Sequence, residues 1–503
     1  MRDQKRFIMT YIYPELNSSQ INTLVNEINH YSLSNGLVMY KDLENLKNET
    51  AVAPVTLYPT ILPKKSFEKA VAIQKAYNEL YANILLDNTN WLDTVIKSIS
   101  EFDADFTGKL YELYLKYQND TNYKKQNKEL GIFRNDFLLH ENKDKTYDLK
   151  EVEFNTISVS FGALSTKVSA LHSFLHESGY YKGEVKSSFD ERNLEVPVSD
   201  SLANIASSIK YGVDTFETQQ NIKNTIVLFV VQPNERNVFD QRLIEYELFN
   251  KYKIKAKRIT IDEVEGKINK KQDSYLYYND DVISLVYFRS CYSPNDFQSE
   301  KSWNNRLFLE TSLAIKTPTL KMQLAGSKKI QQLVSSPEIL EKFISDKETS
   351  NNLLNTFVKI HPLDDSAEGK YAKELINQND SKVLDNFVLK PQREGGGNNI
   401  YKSDIYPFLK ENIPDEKEWA GYILMELINA QPTKGNTILR NNQLYNVDIL
   451  SELGIFGTVL IDTDTKKIEY NSYDGWLLRS KLSDSNEGGV AAGFGCVDSI
   501  ALV

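Results

Sequence analysis

The spacing of apolar residues changes several times along this chain, and each change marks an element. Phe67, Ala70, Ile73, Tyr77, Leu80 and Ile84 recur every three or four residues, which predicts a helix with one apolar face. A Pro-containing connection, Ala53 to Pro63, leads into it, and residues 1–50 alternate helical patterning with polar turns. A second helix, with aromatic residues on its inner side, is predicted over Phe106–Tyr117. From Tyr147 to Ser160 the period falls to two, the signature of a strand. Alternation places Glu151, Glu153 and Asn155 on one face and Val152 and Phe154 on the other. A carboxylate and an amide oxygen two residues apart suit a Mg²⁺ half-site, and a solvated strand face accounts for the same pattern. The helix expected after Phe161-Gly162-Ala163 carries His172 and His176 at zinc-pair spacing. No acidic or Cys ligand accompanies them in a zincin-like order, so a surface helix face is expected.

A polar stretch over 181–200 precedes a different pattern. Thr225 to Val231 is a continuous apolar run, as in a strand covered on both sides. A helix over Val238–Lys251 and strands near Ile254–Ile261 and Ile283–Phe288 complete a βαβ-like unit, within a domain predicted at 222–327. Ligands of such sheets lie beyond the carboxyl ends of the strands. Those ends are Gln232–Asn237 and Arg289–Tyr292, each offering an Arg suited to a substrate carboxylate. An ordinary helix N-terminus with a surface Arg explains them equally well.

Further on, the short apolar run Phe387-Val388-Leu389 leads into K-P-Q-R-E-G-G-G-N-N-I-Y at 390–401. Pro391 stops a helix, and three glycines let backbone approach a partner closely. Their N–H groups suit phosphate oxygens, with Lys390 and Arg393 offsetting charge and Glu394 adding a hard ligand for Mg²⁺. Alone, the loop reads either as an anion site or as a flexible turn, and it is neither a P-loop nor G-x-G-x-x-G. Tyr422–Ile428 is a further strand, and Ser451–Gly457 opens a hairpin turning at Asp462–Thr465. Arg479-Ser480-Lys481 and the second glycine-rich stretch, from Glu487, repeat the logic of cations beside a small-residue loop.

Composition narrows the field. A chain of 503 residues implies more than one structural unit. Its 41% apolar and 25% charged residues fit a soluble globular protein, and a net charge of −10 argues against a nucleic-acid partner. An acidic protein binding an anionic nucleotide must concentrate cations locally and use a metal. Cys291 and Cys496, the only cysteines, exclude a disulfide framework and fit a reducing cytosol. Without a secretory-type leader or a stretch of membrane-span length, a cytoplasmic location and no membrane partner are expected. No Ser-His-Asp elbow, Cys-His pairing or C-x-x-C appears, so covalent nucleophilic catalysis is not indicated.

Seven blocks in order, spread over nearly the whole length, closely resemble eukaryotic glutathione synthetases, which are ATP-grasp ligases. They are F-R-N-D at 133–136, E-x-N-T-I-S-x-S-F-G at 153–162, E-R-N-x-F-D-Q at 235–241, Q-L-A-G-x-K-K at 323–329, K-P-Q-R-E-G-G-G-N-N at 390–399, S-E-L-G-I-F-G at 451–457 and G-G-V-A-A-G at 488–493. The resemblance implies an α/β fold of ATP-grasp type with an inserted Rossmann-like parallel α/β substrate domain and helical N-terminal elements. The corresponding division is 1–221, 222–327 and 328–503. It also implies ATP-dependent joining of γ-glutamylcysteine to glycine through an acyl phosphate, with Mg²⁺, two ions per site, and a homodimer.

Carried over by motif position, Glu153, Asn155 and Glu394 hold the metal. ATP falls to Glu153, Lys328, Lys390, Pro391, Gln392 and Arg393, and to the loop Glu394, Gly395, Gly396, Gly397, Asn398 and Asn399, with Tyr401. Met425, Glu426, Leu427 and Ile428 line the adenine, Glu452 meets the ribose, and Lys481 and Glu487 lie near the nucleotide. The peptide falls to Arg134, to Ile157, Ser158, Val159 and Ser160, to Glu235, Arg236, Asn237 and Gln241, and to Arg289, Ser290, Cys291 and Tyr292. Arg479 sits between the reacting groups as the catalytic residue and substrate contact, while Val490 and Ala491 close over the glycine end. Ser290 and Cys291 stand where animal enzymes carry an acid and a glycine, and Glu487 where Asp is usual. Cys291 is expected to pack rather than react. The Val490-Ala491-Ala492 run resembles the glycine-using version; a homoglutathione-type enzyme using β-alanine and a non-catalytic nucleotide-binding module are the alternatives.

Overall fold

The computed structural model describes residues 12–41, 49–122, 124–191, 194–271, 274–393, 397–483, 485, 490 and 495–503. The chain is a mixed α/β protein. Its largest sheet has eight strands, in the order Gln443–Asn446, Thr437–Arg440, Val55–Thr56, Gly495–Asp498, Lys467–Leu482, Ile449–Asp462, Lys128–Glu141 and Tyr147–Asn155. The long hairpin formed by Ile449–Asp462 and Lys467–Leu482 turns where expected. There Asp462 Oδ1 accepts the N–H groups of Asp464 and Thr465, at 2.9 and 3.1 Å.

One face of this sheet is covered by the helix Lys64–Leu86, whose buried stripe includes Ala70, Ile73, Tyr77, Leu80 and Ile84. Tyr81 and Tyr77 stack on Phe154 with centroids 4.0 and 5.7 Å away. Such pairs add about 1 kcal/mol each beyond area burial and fix the sheet against the helix. The second helix occupies Lys109–Asn119, preceded by a π-helical turn at Ala104–Gly108.

A second sheet has Ile226–Val231 at its heart, parallel to Lys255–Thr260 and to Asp281–Phe288, which in turn runs parallel to Ile315–Thr317. Ile226, Leu228 and Val230 enter one core cluster while Val227, Phe229 and Val231 enter another. A run buried on both faces needs no polar alternation, which is why it reads as continuous apolar sequence. Ser201–Gln220 is a helix to which the sequence reading assigned no element. Its buried Leu202, Ile205, Ile209, Val213 and Phe216 keep helical spacing. A third, antiparallel sheet orders Ile360–Pro362, Tyr422–Glu426, Phe387–Pro391 and Ile400–Tyr401.

The expected surface position of both helix histidines is corrected for His172. It is fully buried in Gly162–Glu177, with Nδ1 2.7 Å from Ser499 Oγ and Nε2 2.9 Å from the Thr56 carbonyl. Burial pushes its imidazole down to about 4. Among the described residues, no helix is long and apolar enough to cross a membrane.

Candidate active site

Four adjacent strands build the centre of the site. In the ladder between Lys128–Glu141 and Tyr147–Asn155, Arg134 faces Asn155 and Asp136 faces Glu153. Glu452 faces Arg479 across the long hairpin. Directly opposed residues project to the same side of a sheet, so Arg134, Asp136, Glu153 and Asn155 share a face. Glu151 does not join them, contrary to the alternation expected. The register skips Val152, pairing Phe137 with Glu151 next to Asp136 with Glu153. One bulged residue reverses the side taken by everything before it. Glu151 is buried, accepts a bond of 3.0 Å from Gln331 Nε2, and has its carboxyl pushed up to about 8 by that burial.

On the shared face the charges are paired. Lys328 Nζ lies 2.9 Å from Glu153 Oε2. Lys390, reaching in from Phe387–Pro391, donates to the Val152 carbonyl at 2.9 Å. Burial alone would raise the Glu153 carboxyl, but Lys328 and Lys390 outweigh it and hold it below its ordinary range. Burial pushes the Lys390 amine down to about 8, against the pull of Glu153. Arg479 Nη2 bonds Glu452 Oε1 and lies 3.0 Å from Asp136 Oδ2. Burial disfavours that guanidinium charge, yet Glu452 and Asp136 raise it above its ordinary value.

Most of the remaining predicted nucleotide residues lie along the third, antiparallel sheet. Pro391 ends its strand, and Gln392 Oε1 accepts the Lys329 N–H at 3.0 Å. Arg393 Nη2 pairs with Asp103 at 2.7 Å. Gly397 has a φ of 89°, the left-handed region open to glycine. Asn399 Nδ2 lies 3.4 Å from Tyr401 Oη, and Asn398 precedes them in the same segment. Met425 is buried between Ile360 and Val388, and Glu426 pairs with Phe387. The Leu427 N–H donates to the Asn386 carbonyl at 2.7 Å, and the Ile428 carbonyl accepts from Ala430 at 2.8 Å. Lys481 pairs with Leu450 in the long hairpin, and Val490 is buried. Glu394, Gly395, Gly396, Glu487 and Ala491 lie outside the described residues.

The predicted peptide-binding loop, Ile157 to Ser160, is suspended between arginines. Arg289 Nη1 bonds the Val159 carbonyl and its Nη2 lies 2.7 Å from Ser160 Oγ, while Arg134 Nη1 is 3.5 Å from the Ser160 carbonyl. Ser158 has a φ of 55°. Beyond the loop, Asp240 accepts the N–H groups of Phe161, Ala163 and Leu164 at 2.8 to 3.0 Å, capping the following helix. Glu235 accepts from the Asn237 N–H at 2.7 Å and from Gln241 Nε2 at 2.9 Å. Asn237 Oδ1 is buried without a hydrogen-bond partner among the described residues. Arg236 turns to the Tyr40 carbonyl, 3.0 Å from its Nε. Ser290 Oγ is 3.3 Å from the Val230 carbonyl, and the Tyr292 N–H donates to Asp296 at 3.1 Å. Cys291 has a φ of 71°, in the left-handed region that favours glycine. Its buried thiol is pushed up to about 12, consistent with packing.

Asp136 is the residue the sequence reading missed. It belongs to F-R-N-D, in which the sequence points only to Arg134. Among the described residues no group of three or more His, Cys, Asp or Glu could hold a metal ion. Glu153 and Asn155 nevertheless present hard oxygen ligands from one strand face, and the Glu153 carboxyl is held ionised, as a Mg²⁺ ligand must be.

The model of the family described as eukaryotic glutathione synthase, ATP binding domain, matches residues 18–502. The glutathione synthetase large chain of Schizosaccharomyces pombe is 38% identical over 499 residues, covering 96% of this chain and 98% of that one. The glutathione synthetase of Homo sapiens is 33% identical over 486 residues, covering 95% and 96%. A glutathione synthetase-like effector from Globodera pallida, solved in apo form, shares the fold with a TM-score of 0.72. It is 24% identical and covers 98% of this chain and 100% of its own. This chain belongs to the eukaryotic glutathione synthase family.

Proposed function

We infer that this chain is a glutathione synthetase, an ATP-dependent ligase that joins γ-glutamylcysteine to glycine and releases ADP and phosphate. The observation that carries the reading is the meeting of Arg134, Glu153, Asn155, Lys328, Lys390 and Arg479 around one sheet face. A carboxylate resists attack by an amine until one of its oxygens becomes a leaving group. Transfer of the γ-phosphoryl group to the cysteinyl carboxylate makes an acyl phosphate, and the glycine nitrogen then displaces phosphate. Arg479 offsets the charge that develops between the two, while Lys328 and Lys390 hold phosphate oxygens.

Glu153 and Asn155 are suited to holding Mg²⁺ together with Glu394, and the metal would supply charge neutralisation on the triphosphate. The 157–160 loop, Arg134, Arg289 and the unpartnered Asn237 Oδ1 would receive the peptide. Tyr422–Glu426 and the residues after it would line the adenine, as in an ATP-grasp arrangement. Residues 222–327 would act as a Rossmann-like substrate domain between the 1–221 and 328–503 parts. A homodimer and a cytoplasmic setting complete the proposal.

ADP release should require Mg²⁺, γ-glutamylcysteine and glycine together. A coupled ADP assay with glycine, β-alanine or no acceptor tests this. Faster turnover with β-alanine would reassign the acceptor, and acceptor-independent hydrolysis as the only activity would refute ligation.

A further inference from the structure

Asp136 has no side-chain exposure and lies on the sheet face shared by Arg134, Glu153 and Asn155. Its Oδ1 accepts from Arg134 Nε at 2.6 Å. Its Oδ2 accepts from Arg134 Nη2 at 2.7 Å, Arg479 Nη2 at 3.0 Å and Asn155 Nδ2 at 3.0 Å. One carboxylate therefore touches the arginine assigned to the peptide, the arginine assigned to phosphoryl transfer and the amide assigned to the metal. We propose that Asp136 is the positioning residue that fixes the mutual register of Arg134, Arg479 and Asn155, an inference that rests on the ligase reading above.

Each bond constrains a different functional atom. The two-point contact with Arg134 occupies the Nε and Nη2 edge and leaves Nη1 directed at the 157–160 loop. Among the described residues both hydrogen bonds of Arg479 fall on Nη2, so its Nε and Nη1 are left to meet developing charge. Asn155 Nδ2 lies between two acceptors, Asp136 Oδ2 and the Arg134 carbonyl at 3.3 Å. Two acceptors on one side dictate that the nitrogen faces them, so Oδ1 must point the other way, where it would be available to a cation. The backbone makes room for this hub. Gly454 is the ladder partner of Asp136, and a Cβ there would stand 2.8 Å from Asp136 Oδ1 and 2.9 Å from Arg134 Cδ.

Charge balance alone predicts something different: any buried anion at this place would serve. Asp136→Asn and Asp136→Glu separate the two. Asn keeps the shape but puts an amide donor among donors; Glu keeps the charge and shifts it by one methylene. Four quantities are measured on the full chain. They are kcat and KM for γ-glutamylcysteine, the Mg²⁺ dependence of ADP binding without turnover, and γ-glutamylcysteine binding by calorimetry with neither nucleotide nor metal.

Asp136→Asn should lower kcat about 100-fold. It should weaken peptide binding about 10-fold and raise the Mg²⁺ needed for ADP binding. Asp136→Glu should fold as the parent does and still lose at least about 10-fold in kcat. If Asp136→Asn does not fold, Asp136→Glu decides: parental kcat and peptide affinity overturn the proposal, and their loss supports it. Parental values in a folded Asp136→Asn overturn it as well. Failure of the parent chain to make glutathione would refute the ligase reading instead, while the calorimetric arm would still report on Asp136.

Discussion

Lys390 is held where its charge is conditional. Buried beside Glu153 and Lys328, its amine is pushed down to about 8, against an ordinary value of 10.5. Below that pH it is an ammonium able to hold phosphate oxygens, and above it the attraction fades. ADP affinity should therefore fall as pH rises from 7 to 9, with proton uptake on binding at the upper end. Calorimetry in buffers of different ionisation enthalpy measures both. Lys390→Met should bind weakly at every pH and lose the inflection; an affinity that is flat in the parent would contradict the assignment. The sequence makes Lys390 visible because a cation before three glycines is an unusual combination. Asp136 is invisible by the same logic, since an acid two residues from an Arg reads as one more surface pair until Arg479 and Asn155 arrive from other strands of the sheet.

At the scale of elements, what was legible was periodicity. The helix over Lys64–Leu86, the buried Ile226–Val231 strand and the hairpin turning at Asp462 all follow from local spacing. The Ser201–Gln220 helix was equally legible in its apolar spacing, but a serine-rich start and the polar stretch before it masked the pattern. The bulge at Val152 was not legible, because nothing in Y-D-L-K-E-V-E-F-N says which residue the neighbouring strand will skip. Its consequence is chemical: Glu151 is sent into the core and Glu153 into the site.

The glycine of S-E-L-G, Gly454, sits opposite Asp136 in the neighbouring ladder. Its ladder position admits no side chain against Asp136 and Arg134, so Gly454→Ala must displace one of them. Destabilisation of about 1–3 kcal/mol is expected from overpacking. The folded fraction should lose activity as well, whereas an equally destabilising change remote from the hub should leave kcat of the folded fraction intact. Urea unfolding and kcat, measured on the same preparations, separate the two effects.

For the whole molecule, the large sheet joins contributions from both ends of the chain. Val55–Thr56, Lys128–Glu141, Ile449–Asp462 and Gly495–Asp498 are strands of one surface. Such pairing explains why motif blocks scattered over 133–493 can serve one reaction. That Glu153 and Arg479 both approach Asp136 depends on these long-range pairings, which no local pattern encodes. The ligase reaction requires that ATP activate the cysteinyl carboxylate on this surface. This requirement is tested most directly with γ-glutamylcysteine carrying ¹⁸O in that carboxylate, followed by mass analysis of the phosphate released. One ¹⁸O should appear in the phosphate for each glutathione formed, whereas phosphate free of label would rule out an acyl phosphate.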